Sequence, residues 1–343
     1  MGATSVRGRD RAALSTGSGL RALPVPLVVH AAGMTIDPIH TSGLPDSVAA
    51  GVRRAAEHGE LLRLHRGSYV SRAEWADASA QERHRVLVRS FVDVQGPAAV
   101  VSHRSAVAMH GLPWVGGFGD RVVVTDPDRD RGQVKPRIQR VGGAGRSPDA
   151  VLIDGVLVGT LAETGADVAL SDHPWRAVVV LDAVLRRGCS KADLRAALDA
   201  RSSRNHRRAR TLVDAADGAA ESPGESITRW GGIVLGAPSP VLQHEFRHQG
   251  VFRDRVDLWY PEHGVVVEFD GRQKYAVTGR ETLWDEKRRE DRIRRHHEVR
   301  GVARVTWADA LPAGQLPRLL SEAGLPLGRN WASAWRLAAR RAL

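Results

Sequence analysis

A single cysteine, Cys189, is all that 343 residues contain, so no internal disulfide can staple the fold. That usage fits a reducing compartment, and a cytoplasmic protein is expected. Lysine is nearly as scarce: Lys135, Lys191, Lys274 and Lys287 are the four among 50 basic residues. Aromatic residues make up only 5% of the chain. No apolar run approaches the roughly 20 residues that a membrane helix needs, so no membrane partner is expected. The apolar stretch over 20–32 is broken by Pro24, Pro26 and His30, which argues against a signal peptide. Residues 1–20 read as a disordered start.

What is present points toward a polyanion. The formal charge is +11 and the isoelectric point about 10.8, which favours nucleic acid as the partner. An arginine-rich background raises every such value, so charge alone does not decide. An apolar fraction of 42% suffices for packed cores, and the length suggests two or three domains.

The most informative segment is residues 255–274. It reads as two short strands around a turn at Pro261–Gly264. Alternation puts Val256 and Leu258 on one face and Asp257 on the other, then sets Val265, Val267 and Phe269 against Glu268 and Asp270. A turn symmetric about Glu262 and His263 pairs Tyr260 with Val265 and sets Asp257 opposite Glu268. Like charges facing across a ladder, with Cβ atoms roughly 5 Å apart, are destabilising, and a bound cation reverses the sign. Asp270 adds a third carboxylate. Two readings are open: a Mg²⁺ (or Mn²⁺) site, since hard ions take oxygen ligands, or solvated acids at strand ends. Lysine usage favours the first, because Lys274 and Lys287 follow these acids closely and an ammonium does what a guanidinium cannot.

These residues resemble the very-short-patch-repair-type branch of the PD-(D/E)XK nucleases. The resemblance rests on Asp257, then Glu268-Phe269-Asp270-Gly271, then Lys274-Tyr275. The stretch Trp284 to Arg294 and the run Arg304-Val305-Thr306-Trp307 resemble that family's following helix and last strand. Glu225-Ser226-x-x-Arg229 resembles its acid-bearing first helix. The likeness covers about 220–325. It implies a mixed sheet flanked by helices and metal-dependent hydrolysis of DNA, with Asp257, Glu268 and Asp270 at the metal and Glu225 assisting. One position departs: the family's lysine site holds Asp270, so that role passes to Lys274 or Lys287.

Upstream, residues 47–57 predict a helix with Asp46 or Ser47 as N-cap and Gly59 as its end. A strand over 61–64 then turns near Gly67 into Tyr69-Val70. A helix followed by a basic two-stranded wing suggests a winged helix-turn-helix, with Arg53, Arg54, Arg63, His65 and Arg66 on DNA. A small helix–hairpin fold with solvated arginines fits the pattern equally. Residues 59–70, with Val101-Ser102-His103-Arg104-Ser105-Ala106 and His110-Gly111-Leu112-Pro113, resemble the AbiEi-type antitoxin of type IV toxin–antitoxin systems. That resemblance implies a promoter-binding wing and a cognate toxin as partner.

Residues 81–200 alternate predicted strands (98–101, 121–125, 137–140, 156–159) with helices (102–110, 160–169, 176–185, 191–200), and no chemistry is evident there. Ser102 and His103 are neighbours on a helix and do not face each other. The five arginines over 201–210 suit either a DNA backbone or a solvated helix face. His244-Glu245-Phe246-Arg247-His248 spells the zinc-peptidase pattern, which requires a helix. Pro238, Pro240 and Gly250 confine it, and its alternation reads as a strand, so zinc is not expected. A highly charged helix over 281–295 offers Arg288, Arg289, Arg292, Arg294 and Arg295 to a phosphate groove, Arg288 and Arg292 foremost, or commits them to ion pairs within the helix.

The expected architecture is an α/β (α+β multidomain) chain. It comprises a disordered 1–20, a winged helix over 21–80, a middle α/β region over 81–200 and a basic linker over 201–219. A nuclease-like domain over 220–325 and a terminal helix or tail over 326–343 complete it. The leading function is a Mg²⁺-dependent DNA endonuclease. The alternative is a DNA-binding regulator or antitoxin acting on its own promoter, its nuclease-like domain inert.

Overall fold

The structure is a computed structural model that describes residues 28–29, 36–91, 99–271 and 288–340. Lys274, Lys287 and the expected disordered start at 1–20 lie outside the described residues. The chain is a mixed α/β protein with three sheets among those residues. No described helix is long and apolar enough to cross a membrane.

The first sheet is antiparallel, with Ser68–Ser71 between Ile39–His40 and Leu61–His65. A helix, Asp46–Glu57, precedes its hairpin, one residue earlier than predicted and capped by Pro45 rather than by a side chain. Gly59 and Gly67 take positive φ angles where the chain reverses, a conformation costly for residues with a Cβ. Two helices follow that the periodicity did not reveal, Arg72–Asp77 and Ala80–Ser90. Ser79 and Glu82 form a reciprocal capping box at the second. Leu64 and Val70 of the wing join Val86, Val88 and the next sheet in one core.

That next sheet is mixed, in the order Val28–Val29, Ala150–Ile153, Val156–Gly159, Val100–Val101, Val122–Asp126, Ile138–Gly142 and Gln133–Val134. The predicted helices stand behind it as Leu161–Ser171, Pro174–Arg186 and Lys191–Asp199, with Thr160 and Ser190 as N-caps. The five arginines over 201–210 divide between two roles. Arg201 is tied to Glu163 and Asp167, Arg208 donates to the carbonyls of Ala169, Leu170 and Asp172, and Arg210 pairs with Asp199. Three of the five therefore lock the helices together instead of tracking a DNA backbone or lying free, while Arg204 and Arg207 are exposed.

The last sheet has the order Val241–His248, Val251–Tyr260, Val265–Asp270 and Gly301–Thr306, the final pair parallel. The helix Pro223–Val234 crosses its inner face. Gly224 makes that approach possible, since a Cβ there would sit 1.9 Å from Cε1 of Phe269. One core runs from Val107 through the helical layer into Leu258, Val267 and Val305 of this sheet. At its centre Arg229 Nη2 donates to both oxygens of Asp182 at 2.8 Å, and Asp182 also accepts the Asp217 amide. Arg229 thus serves the junction of helices and lies turned into the core. The zinc-peptidase pattern is a strand, as expected, with His244 stacked on Trp259.

Removing one partner of a buried ion pair strands the other charge, at a cost of roughly 3–5 kcal/mol. Asp182→Ala is expected to lower the urea midpoint steeply, and Asp214→Ala, at the exposed pair with Arg195, to leave it nearly unchanged.

Candidate active site

The hairpin register follows the predicted one for three pairs: Tyr260 with Val265, Trp259 with Val266 and Leu258 with Val267. At the next position the regular ladder gives way. Opposite Asp257 on its other side lies Gln243, whose φ of +51° is left-handed in the middle of a strand. Such a conformation in a residue with a Cβ carries local strain and clusters at functional sites. Its effect is visible in the packing. Leu258 joins the core of Leu242 and Val267, whereas Val256 joins Phe246, Trp259 and Val266 in a separate one. The expected sharing of one face by Val256 and Leu258 is therefore incorrect, because the kink at Gln243 breaks the alternation at Asp257.

Freed from a regular ladder position, Asp257 turns its Oδ2 to accept the amide of Phe269 at 2.8 Å. Burial pushes its carboxyl above the ordinary range; that amide opposes the shift and the nearby Glu225 reinforces it. Glu268 is 6% exposed, and burial raises it too, with Arg289 opposing and Asp257 reinforcing. Arg289 Nη2 donates to Glu268 Oε1 at 2.7 Å and to the Arg255 carbonyl at 2.9 Å. Asp257, Glu268, Phe269, Asp270, Gly271, Arg289 and Arg304 line one cleft of about 180 Å³. A larger hollow of about 510 Å³ lies elsewhere, by Trp331 and Trp335, where the two charged lining residues, Arg318 and Glu322, pair with each other.

Glu225 reaches the edge of this site through Gln243. Its Oε2 accepts from Gln243 Nε2 at 2.8 Å, and that nitrogen lies 3.5 Å from Asp257 Oδ1. Glu225 also accepts the Glu221 amide while Ser222 caps the helix, so part of its role is to close the helix N-terminus. The structure thus brings Asp257, Glu268 and Asp270 to one cleft with Glu225 one residue behind. Gln243, Arg289 and Arg304 complete the surroundings; the sequence marks Arg289 only as one of several groove arginines and Arg304 only as part of the last strand. The register of Glu268 with Arg304 depends on a parallel pairing across more than 30 residues, which no local pattern announces.

Among the described residues no three acids, histidines or cysteines gather tightly enough to enclose an ion. The half-buried Asp257 and the buried Glu268 at the wall of one cleft nevertheless fit Mg²⁺, which is commonly held by one or two carboxylates beside a substrate phosphate. The donor set is hard oxygen.

The expected DNA contacts are placed unevenly. Arg53, Arg54, Arg63 and Arg66 are exposed on the first helix and the hairpin after it, and Arg288 is exposed one residue before Arg289. His65 is drawn inward, its Nε2 2.6 Å from the Ser90 carbonyl and its ring against Phe91. Arg292 pairs with Asp254, which His296 also contacts at 3.0 Å.

No protein-family model matches the chain. Two curated Mycobacterium tuberculosis proteins, Uncharacterized protein Rv2248 (strain H37Rv) and Uncharacterized protein MT2308 (strain CDC 1551), are each 33% identical to it over 229 residues. Those residues are 64% of this chain and 77% of each relative. The crystal structure of the RV2827C protein from the same organism aligns at a TM-score of 0.32 with 16% identity, covering 50% of this chain and 66% of that one.

Carboxyls raised by burial make the fold less stable when ionised, and that loss is relieved as pH falls through their folded-state pKa values. The metal-free Asp257→Asn/Glu268→Gln variant is therefore expected to melt about 3 °C above wild type at neutral pH. The gap should shrink as pH falls toward the ordinary carboxylate range. Calorimetry across that range checks it.

Proposed function

The chain belongs to the family of the M. tuberculosis protein Rv2248, and we propose that it is a divalent-metal-dependent DNA endonuclease. The observation that carries this reading is the pairing of a half-buried carboxylate, Asp257, with a buried one, Glu268, on adjacent strands of one cleft. Folding alone gains nothing from placing them together. The surrounding order supports the reading: an acid-bearing helix, an antiparallel hairpin, then a crossover to a parallel strand, as in a PD-(D/E)XK-type module. The charge of +11 suits a DNA partner.

In this reading Asp257 and Glu268 hold the ion and Asp270 stands at the cleft as a further oxygen donor. When bound, the ion supplies an activated water and neutralises charge on the phosphodiester. Glu225 acts through Gln243, keeping Asp257 aimed at the cleft. Lys274 or Lys287 supplies the ammonium that the family places beside the scissile phosphate. The N-terminal helix and wing form a winged helix that carries Arg53, Arg54, Arg63 and Arg66 to the DNA backbone. The inward contacts of His65 give it a structural task in holding the wing.

A second reading, a DNA-binding regulator or antitoxin with an inert nuclease-like module, is favoured by one observation. Asp270 occupies the position where the family carries lysine. The two separate by experiment. Purified protein incubated with supercoiled, mismatched and branched DNA in Mg²⁺ or Mn²⁺ is expected to nick or cut at least one substrate. Asp257→Ala should lower the rate at least about a hundredfold without weakening DNA binding. Intact DNA throughout, with saturable protection of its own promoter that Asp257→Ala leaves unchanged, would establish the regulator instead.

A further inference from the structure

Arg289 sits where two demands meet. Its guanidinium closes the wet side of Glu268 at 2.7 Å, and its side chain is 45% exposed while that of Glu268 is 8% exposed. The same Nη2 is steadied by the Arg255 carbonyl, so the contact is directional. A cation on this carboxylate opposes a second cation there, since both draw on the same oxygen atoms and repel each other. Yet the guanidinium is also the best side-chain match for a phosphate, offering a planar fork of donors. It lines the cleft with its side chain 45% exposed, within reach of a phosphate entering from solvent.

We propose that Arg289 is a latch released by DNA. A backbone phosphate entering the cleft draws the guanidinium away from Glu268 and exposes the carboxylate to the divalent ion. The inference rests on the nuclease reading above and adds to it an order of events: DNA first, metal second. Linkage makes the coupling mutual, so metal also tightens DNA by the same factor. The neighbouring Arg292 cannot do this, because its guanidinium is held by Asp254 instead of Glu268.

The test is Mn²⁺ binding to the full chain, read by electron paramagnetic resonance with and without a short mixed-sequence duplex. Wild type is expected to bind Mn²⁺ roughly tenfold more tightly with the duplex. Arg289→Gln should reach most of that gain without DNA, and Arg292→Gln should leave the DNA-free affinity unchanged. Arg289→Lys keeps a cation against Glu268, and so keeps the fold. It should bind Mn²⁺ as wild type does without DNA and show a smaller duplex-induced gain, because a point charge cannot fork onto phosphate. If Arg289→Gln binds Mn²⁺ no more tightly than wild type in the absence of DNA, the latch is wrong and the nuclease reading stands. An Arg289→Lys gain equal to that of wild type has the same consequence. If no protein binds Mn²⁺ with or without DNA, the metal reading itself falls, and the latch with it.

Discussion

A half-buried carboxylate, Asp257, and a buried one, Glu268, share one cleft and set the terms for what surrounds them. Asp257 and Glu268 lose their hydration and repel one another, and each is compensated only in part. The Phe269 amide and Gln243 serve Asp257, while Arg289 serves Glu268. A core built for stability alone would fill these positions with apolar residues, which are often neutral or stabilising in place of buried charge. In the proposed reading, retaining the acids accepts a less stable fold in exchange for a cation site.

The scaffold is arranged to hold that place rigidly. Gly224 lets the helix Pro223–Val234 lie against the ring of Phe269, whose backbone amide is the one that Asp257 accepts. The same helix is anchored from behind by the Arg229–Asp182 pair, which joins it to the helical layer of the middle region. The acid site is therefore tied to a continuous core that extends well beyond its own sheet. Strain at Gln243 is borne locally, within a strand pinned on either side by Leu242 and Phe246. The N-terminal hairpin Leu61–Ser71 belongs to another core and carries the exposed Arg63 and Arg66. In the nuclease reading proposed above, gripping DNA and cutting it fall to different parts of the chain.

Much of this was legible in the residues. Alternation and the Pro261–Gly264 turn gave the pairing of Tyr260 with Val265; the ladder ends at Leu258 and Val267, and Asp257 and Glu268 share a cleft rather than a ladder position. The prolines and Gly250 around the zinc-peptidase pattern disclosed its strand, because a helix had no room there. What escaped notice depended on tertiary contacts. The left-handed Gln243 looks like any strand glutamine until its neighbours are known, and it overturned the simple alternation of Val256 and Leu258. Arg289 is one arginine in a run of charges, distinguished only by which carboxylate it reaches. The arginines over 201–210 looked available to DNA because the carbonyls and acids that engage three of them lie roughly 35 residues away or more, or on a preceding helix. Short helices such as Arg72–Asp77 were hidden because six residues give too few turns for a periodicity to show.

The account turns on whether a divalent ion sits between Asp257 and Glu268. The most direct measurement is anomalous diffraction from a crystal of the full chain grown with Mn²⁺ and a short duplex. The account predicts a manganese peak within bonding distance of both carboxylates, with Arg289 swung away from Glu268 onto a phosphate. A cleft in which Arg289 still holds Glu268 and manganese appears elsewhere, with DNA bound, would contradict it.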